Sequence, residues 1–305
     1  MNRKVQIAAV VLSAAVGVAI AFCIAANEPK GHGSEVCREV VDMTSQLVHI
    51  PFEPQRVLSL CTSATDTIVR LGAVDRLAAI DEYSRIVPGT KNILIIGKGS
   101  AISREQVIAL GIDLAIIWWY QDDASSLLEG LSIPVVRIRS GRITEVPATI
   151  QLLGKCLNRS DIAESLAGEV AEYVKKADSM SATSRRRVYL ELYSPLRTVG
   201  GDTYINDLIE LSGASNIAAD ASGSVQLSAE HLIEADPDVI LFVEGFSTVS
   251  SITRRSVMRE LTAAKTGRVY PINRYWLVAG AGLPDAEQNL RRVLNGNSHF
   301  VQERQ

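Results

Sequence analysis

A chain of 305 residues, 47% hydrophobic and 21% charged, is long enough for two α/β units and too apolar for wholesale disorder. Its formal net charge of −3 excludes the strongly basic face that nucleic-acid phosphates demand, so no nucleic-acid partner is expected. Any ligand must then be recognised by local groups, not by a global field.

The chain opens on a short cationic run, Asn2-Arg3-Lys4, followed by an uncharged apolar stretch from Ile7 to Ala26. About 20 apolar residues span a bilayer, so residues 1–26 read as a secretory signal or a membrane anchor, and the chain is expected to leave the cytoplasm. Ile20-Ala21-Phe22-Cys23 has the layout of a lipoprotein cleavage box, with Cys23 as the residue to be acylated. Phe22 stands where a small residue belongs, so a plain anchor and cleavage near Ala25-Ala26 are the alternatives. The other cysteines, Cys37, Cys61 and Cys156, form no C-x-x-C pair, which removes support for a zinc site or redox pair. Cys61 reads as a buried thiol.

Residues 27–55 are expected to hold a flexible spacer and then a hairpin, with Val40-Val41 and Leu47–Ile50 as its strands. A first lobe is expected over 56–157. There Val57-Leu58-Ser59-Leu60 is a buried-strand run and Cys61–Thr65 a small polar loop. A helix follows from about Asp66 to Leu71, closed by Gly72. Apolar runs at 77–80, 93–96, 114–118 and 135–138 alternate with helical segments, the pattern of a mostly parallel sheet covered on both faces. From Asp161 to Met180, Ile162, Leu166, Val170, Tyr173 and Val174 recur at helical spacing. This predicts one long helix within 158–183 joining two lobes; a crossover helix within a single sheet is the alternative. A second lobe is expected over 184–298 and a tail over 299–305.

The second half repeats the first. Arg187–Leu192 mirrors Arg56–Leu60, and Leu208–Gly213 mirrors the helix that ends at Gly72. At a spacing of 125 residues, Ile102-Ser103-Arg104-Glu105-Gln106-Val107-Ile108 matches Leu227-Ser228-Ala229-Glu230-His231-Leu232-Ile233, and Asp113-Leu114 matches Asp238-Val239. Each copy reads as a Ser-capped helix, a tight turn and a buried strand.

Arg56–Leu60 with Ser63-Ala64-Thr65, the two Ser-x-Glu helix starts and Pro237-Asp238-Val239-Ile240 together resemble the cluster-A (class III) substrate-binding proteins. These serve ABC importers for cobalamin, ferric siderophores and haem. The likeness covers about residues 38–298. It implies an α/β fold of two Rossmann-like lobes with mostly parallel sheets, bridged by one long α-helix, with a ligand in the cleft between them. It also implies that Glu105 and Glu230 are the two carboxylates that dock onto arginines of a permease dimer, one per subunit. A metal chelate is the implied ligand, with no covalently bound cofactor.

The aromatic residues point the same way. Trp118, Trp119 and Trp276 fall at or just past expected strand ends, where open parallel sheets hold their ligands. Tyr83, Tyr193, Tyr204 and Phe246 take comparable loop positions, and Arg274, with Arg85, Lys98 and Arg197, could meet an anionic chelate. Trp118 and Trp119 are neighbours on an extended strand, so one ring is expected on each face. His32, His49, His231 and His299 are scattered, so protein metal ligands are not expected; a free metal-ion receptor is the second reading. No G-x-S-x-G, P-loop or H-E-x-x-H occurs, and an enzyme or membrane-anchored sensor is the third.

Overall fold

The computed structural model describes residues 37–139, 141–179 and 185–296. The candidate signal or anchor, Cys23, His32, the spacer and the tail lie outside the described residues.

The entry hairpin forms where it is expected. Strands β1 (Cys37–Val41) and β2 (Leu47–Pro51) pair antiparallel, with Val40 and Ile50 turned inward. The first sheet then takes β3 (Val57–Ser59), β4 (Leu77–Asp81), β5 (Leu94–Lys98), β6 (Ala101–Ile102), β7 (Leu114–Trp118) and β8 (Val135–Ile138). Their spatial order is β6-β5-β4-β3-β7-β8, parallel except for β5 with β6. Leu58, Leu114, Ala115, Ile116 and Ile117 are wholly buried, as strands covered on both faces require.

The second half contributes β9 (Arg186–Glu191), β10 (Arg197–Val199), β11 (Ala214–Asn216), β12 (Ser224–Gln226), β13 (Val239–Val243) and β14 (Val269–Ile272). Four of them form an all-parallel sheet in the order β11-β9-β13-β14, and β10 pairs with β12 as an antiparallel ribbon. The two sheets share the core order β4-β3-β7-β8 and β11-β9-β13-β14.

The repeat seen in sequence holds at every boundary. Helix Arg104–Leu110 is capped by Ser103 and closed by Gly111 at φ 58°, and helix Ala229–Ala235 is capped by Ser228 and closed by Asp236 at φ 31°. The lock at the next strand is repeated too. Asp113 accepts from the backbone N–H of Arg56 at 3.0 Å, and Asp238 from that of Arg187 at 2.7 Å. The two arginines return the favour to the helix ends, Arg56 donating to the Leu110 carbonyl and Arg187 to the Ala235 carbonyl.

One expectation is corrected. The first helix runs over Thr62–Arg70, so most of the segment expected as a polar loop is helical. Thr65 donates to the Cys61 carbonyl at 3.1 Å and Thr67 to the Ser63 carbonyl at 2.9 Å. Hydroxyls that satisfy themselves one turn back no longer compete with the helix. Ser63, Ala64 and Thr65 are small enough to be buried against the sheet.

The long helix spans Ser160–Ser179, 20 residues, or roughly 30 Å at 1.5 Å per residue. Ala163, Ala167 and Val170 bury its inner stripe. One hydrophobic cluster continues from Val40, Leu71 and Val146 through Val170 to Val188, Leu208 and Leu290, so the two lobes share a core. Each lobe adds a private cluster on the far side of its sheet.

Candidate ligand-binding cleft

A cleft of about 400 Å³ opens between the lobes. The first lobe lines it with Thr62, Ser63, Ile86 and Trp118, the second with Tyr193, Thr203, Tyr204 and Arg274. Its place follows from the topology. Trp118 ends β7, Tyr193 lies two residues past β9, and Arg274 lies two past β14, so the walls are the carboxyl ends of parallel strands.

Two helices also begin here, Thr62–Arg70 and Tyr204–Leu211. Thr203 caps the second, accepting from the Asn206 N–H at 3.2 Å, while Cys61 caps the first with no side-chain bond. Both helix dipoles therefore present their positive ends toward the cleft, which favours acceptor-rich or negative ligand groups.

Arg274 is the cation on the cleft wall. Its guanidinium lies 5.6 Å from the Tyr193 ring centroid and 5.3 Å from that of Tyr83, so it joins aromatic rings of both lobes. Lys98 sits 5.7 Å over the same Tyr83 ring, and Phe246 meets Tyr193 edge-on at 4.9 Å. Tyr204 is nearly buried and donates its hydroxyl to the Val278 carbonyl at 2.8 Å. Burial pushes its phenol well above the usual range, so it stays a neutral donor. Cys61 is buried with its sulfur 3.2 Å from the Ser63 hydroxyl, and burial pushes its thiol up to about 12.

The expected site residues divide. Trp118, Tyr193, Tyr204 and Arg274 line the cleft. Tyr83 reaches it through Arg274. Trp119 is 47% exposed beneath the Arg139 guanidinium and, unlike Trp118, does not line the cleft. Trp276 packs against the shared core and is not a lining residue. The reason is local. Arg274–Leu277 is a 3₁₀ turn, in which residues three apart share a face, so Arg274 and Leu277 turn to the cleft together and Trp276 turns elsewhere. Arg85 lines a neighbouring recess, and Arg197 begins β10. Sequence reasoning missed Thr62, Ser63 and Thr203; the helix-capping signal at Thr203 was the one clue available.

Glu105 and Glu230 are both exposed, each in the first turn of its Ser-capped helix. Ile108 and Ile233, one turn further on, are exposed as well, at 58% and 45%. Among the described residues, no group of three or more His, Cys, Asp or Glu converges as a metal site, and no helix is long and apolar enough to cross a membrane.

A family model described as periplasmic binding protein matches residues 57–275. A cobalamin-binding protein of Halobacterium salinarum is 30% identical over 252 residues, covering 76% of this chain and 67% of its own length. A Bacillus subtilis protein described as an uncharacterized ABC transporter substrate-binding lipoprotein is 26% identical over 244 residues, covering 76% of this chain and 77% of its own. Among solved structures, the periplasmic haem-binding protein of Vibrio cholerae superposes with a TM-score of 0.71 at 23% identity, covering 79% of this chain and 99% of that one, a likeness of fold.

Proposed function

This chain belongs to the periplasmic binding protein family, and from that premise we propose that it is the extracytoplasmic receptor of an ABC importer. In this reading it captures a metal chelate between its lobes and delivers it to a permease dimer. The carrying observation is the cleft wall itself, with Trp118 on one lobe facing Tyr193 and Arg274 on the other. Indole and phenol faces suit a large flat or greasy ligand. The Arg274 guanidinium lies 5.3 and 5.6 Å from two tyrosine ring centroids and pairs with no carboxylate among the described residues, so its N–H groups are available to a ligand acceptor. A relative is named for cobalamin, which puts a cobamide ahead of haem and ferric siderophores.

Glu105 and Glu230 serve as the docking pair in this reading. The support is the duplicated patch, a carboxylate and an isoleucine on each lobe, which fits a partner with two equivalent subunits. The N-terminus, through Cys23 acylation or an apolar anchor, tethers the receptor to the membrane.

The test is a thermal-shift panel of cyanocobalamin, haemin and a ferric tricatecholate. A ligand at 100 times its Kd stabilises by about 2.7 kcal/mol, a shift easily seen in a melt. A panel that leaves the melt unmoved, while Zn²⁺ or Mn²⁺ moves it, would replace the chelate with a free metal ion.

A further inference from the structure

Glu191 ends β9 with its side chain wholly buried. A buried carboxylate is unfavourable unless its lone pairs are engaged, and here four donors engage them. Oε2 accepts from the Arg255 guanidinium at 2.5 Å, the Tyr189 hydroxyl at 3.1 Å and the Leu196 backbone N–H at 3.2 Å. Oε1 accepts from the Ser247 hydroxyl at 3.1 Å.

Two of these donors, Leu196 and Ser247, sit on the loops that carry Tyr193 and Phe246, while Tyr189 lies within β9 and Arg255 caps helix Ser256–Glu260. Leu196 closes the loop after β9 that holds Tyr193, and Ser247 closes the loop after β13 that holds Phe246. The two rings meet at 4.9 Å in an edge-on pair. The backbone bears the marks of this restraint. Leu196 has φ 61°, the left-handed region that residues with side chains avoid, and its N–H is the group bonded to Glu191. Beside Phe246, Gly245 takes φ 85°, a value glycine adopts without strain, and Glu244 bridges to Ser247 across the turn. A strained turn persists only where its surroundings over-determine it, and the buried carboxylate supplies that restraint from behind the cleft.

We propose that Glu191 is a positioning residue for the ligand. It acts through Tyr193, holding the Tyr193–Phe246 pair as a preformed wall so that a flat chelate meets an ordered aromatic surface. Pre-organisation of this kind spares the ordering entropy that a mobile wall loses on binding. The inference rests on the cleft being the ligand site, as proposed above.

The experiment uses the whole chain with cyanocobalamin and haemin as probes. Glu191→Gln keeps the size but replaces an acceptor oxygen with an N–H₂ group facing other donors. It is expected to weaken the bound probe about tenfold. In a Tyr193→Ala background the same change should alter affinity less than twofold, because the ring it positions is gone. An equal loss in both backgrounds would assign Glu191 a purely structural role and overturn the proposal. A milder variant, Ser247→Ala, removes one donor and should weaken the probe in the same direction, less than Glu191→Gln does.

A ligand-free readout completes the test. With a trifluoromethyl-phenylalanine label at position 246, the ¹⁹F resonance should be shifted from the free amino acid by the Tyr193 ring. Glu191→Gln and Ser247→Ala should each move it toward the free value. Unchanged resonances in both variants would refute the positioning role. If neither probe binds the unsubstituted protein, the chelate reading fails while the fluorine measurement still decides the fate of Glu191.

Discussion

Asp207 of the second lobe accepts two guanidinium bonds from Arg142 of the first, at 2.8 and 2.6 Å, and a third from the Ile143 backbone N–H at 3.0 Å. The pair is lopsided, since the Asp207 side chain is 7% exposed and that of Arg142 52%. Truncating Arg142 leaves a buried carboxylate with a single donor, whereas truncating Asp207 releases a guanidinium that already reaches water. Each alanine substitution should cost about 1–3 kcal/mol, with Arg142→Ala the worse, and the double variant should cost less than the sum. Urea unfolding of the four proteins gives the cycle; additive losses would show that the two side chains act independently.

A second tie makes the lobes hard to separate. Asp66, buried in helix Thr62–Arg70, accepts from the Gly282 N–H at 2.8 Å and from the Tyr275 hydroxyl. A Cβ on Gly280 would come within 2.3 Å of the Asp66 carboxylate oxygen, so nothing larger than glycine fits this junction. Gly280→Ala should destabilise by about 1–3 kcal/mol through overpacking. With this tie and the shared core intact, ligand should change the lobe angle little. X-ray scattering curves with and without bound probe should superimpose, and a marked compaction would contradict the fused core.

Asp81 gives a pH signature. Desolvation by burial raises its carboxyl above the ordinary 3.8, against the pull of the Ser84 hydroxyl and N–H that it accepts at 2.6 and 3.0 Å. The folded chain therefore holds this proton more tightly than the unfolded chain does. Its contribution to stability is fully present below 3.8, falls as pH rises through the folded value, and is constant above it. Wild-type stability minus that of Asp81→Asn should decline over that window in pH-dependent denaturation. A difference that grows with pH would have the sign wrong.

The parts legible in the sequence are those written in local chemistry. Ser103 and Ser228 announce two helix starts that the structure reproduces, because capping involves only neighbouring groups. The strand-end rule puts Trp118 near the cleft that it lines, and Arg274 is expected among the loop cations. Helix Thr62–Arg70 was misjudged at its start because Thr62, Ser63 and Thr65 have turn-like composition, and burial against the sheet decides their state. Trp276 was misplaced because a 3₁₀ turn rotates it off the cleft face, which composition does not reveal. The Glu191 cluster was invisible for a different reason. Its partners Ser247 and Arg255 lie 56 and 64 residues away and come together only in the fold.

The docking role proposed for Glu105 and Glu230 is open to a clean separation of stability from transport. Glu105 and Glu230 are exposed, and Ser103 donates its hydroxyl to Glu105 at 2.7 Å, a bond that holds the Glu105 carboxyl below its ordinary value and keeps it ionised. Neither side chain supports a core, so Glu105→Gln with Glu230→Gln should leave the melting temperature and probe affinity unchanged. If the carboxylates meet permease arginines, the loss falls on delivery, because a neutral amide forfeits the charge-assisted bidentate bond that fixes orientation as well as attraction. Uptake by the reconstituted importer should drop at least tenfold. Replacing both with Arg sets like charges against each other and should abolish it. The two single variants should each fall between, since a two-fold partner reads both lobes at once and one intact contact still orients the receptor. Wild-type uptake by the double Gln variant would remove Glu105 and Glu230 from the docking surface, and a shifted melt without a transport defect would return them to folding.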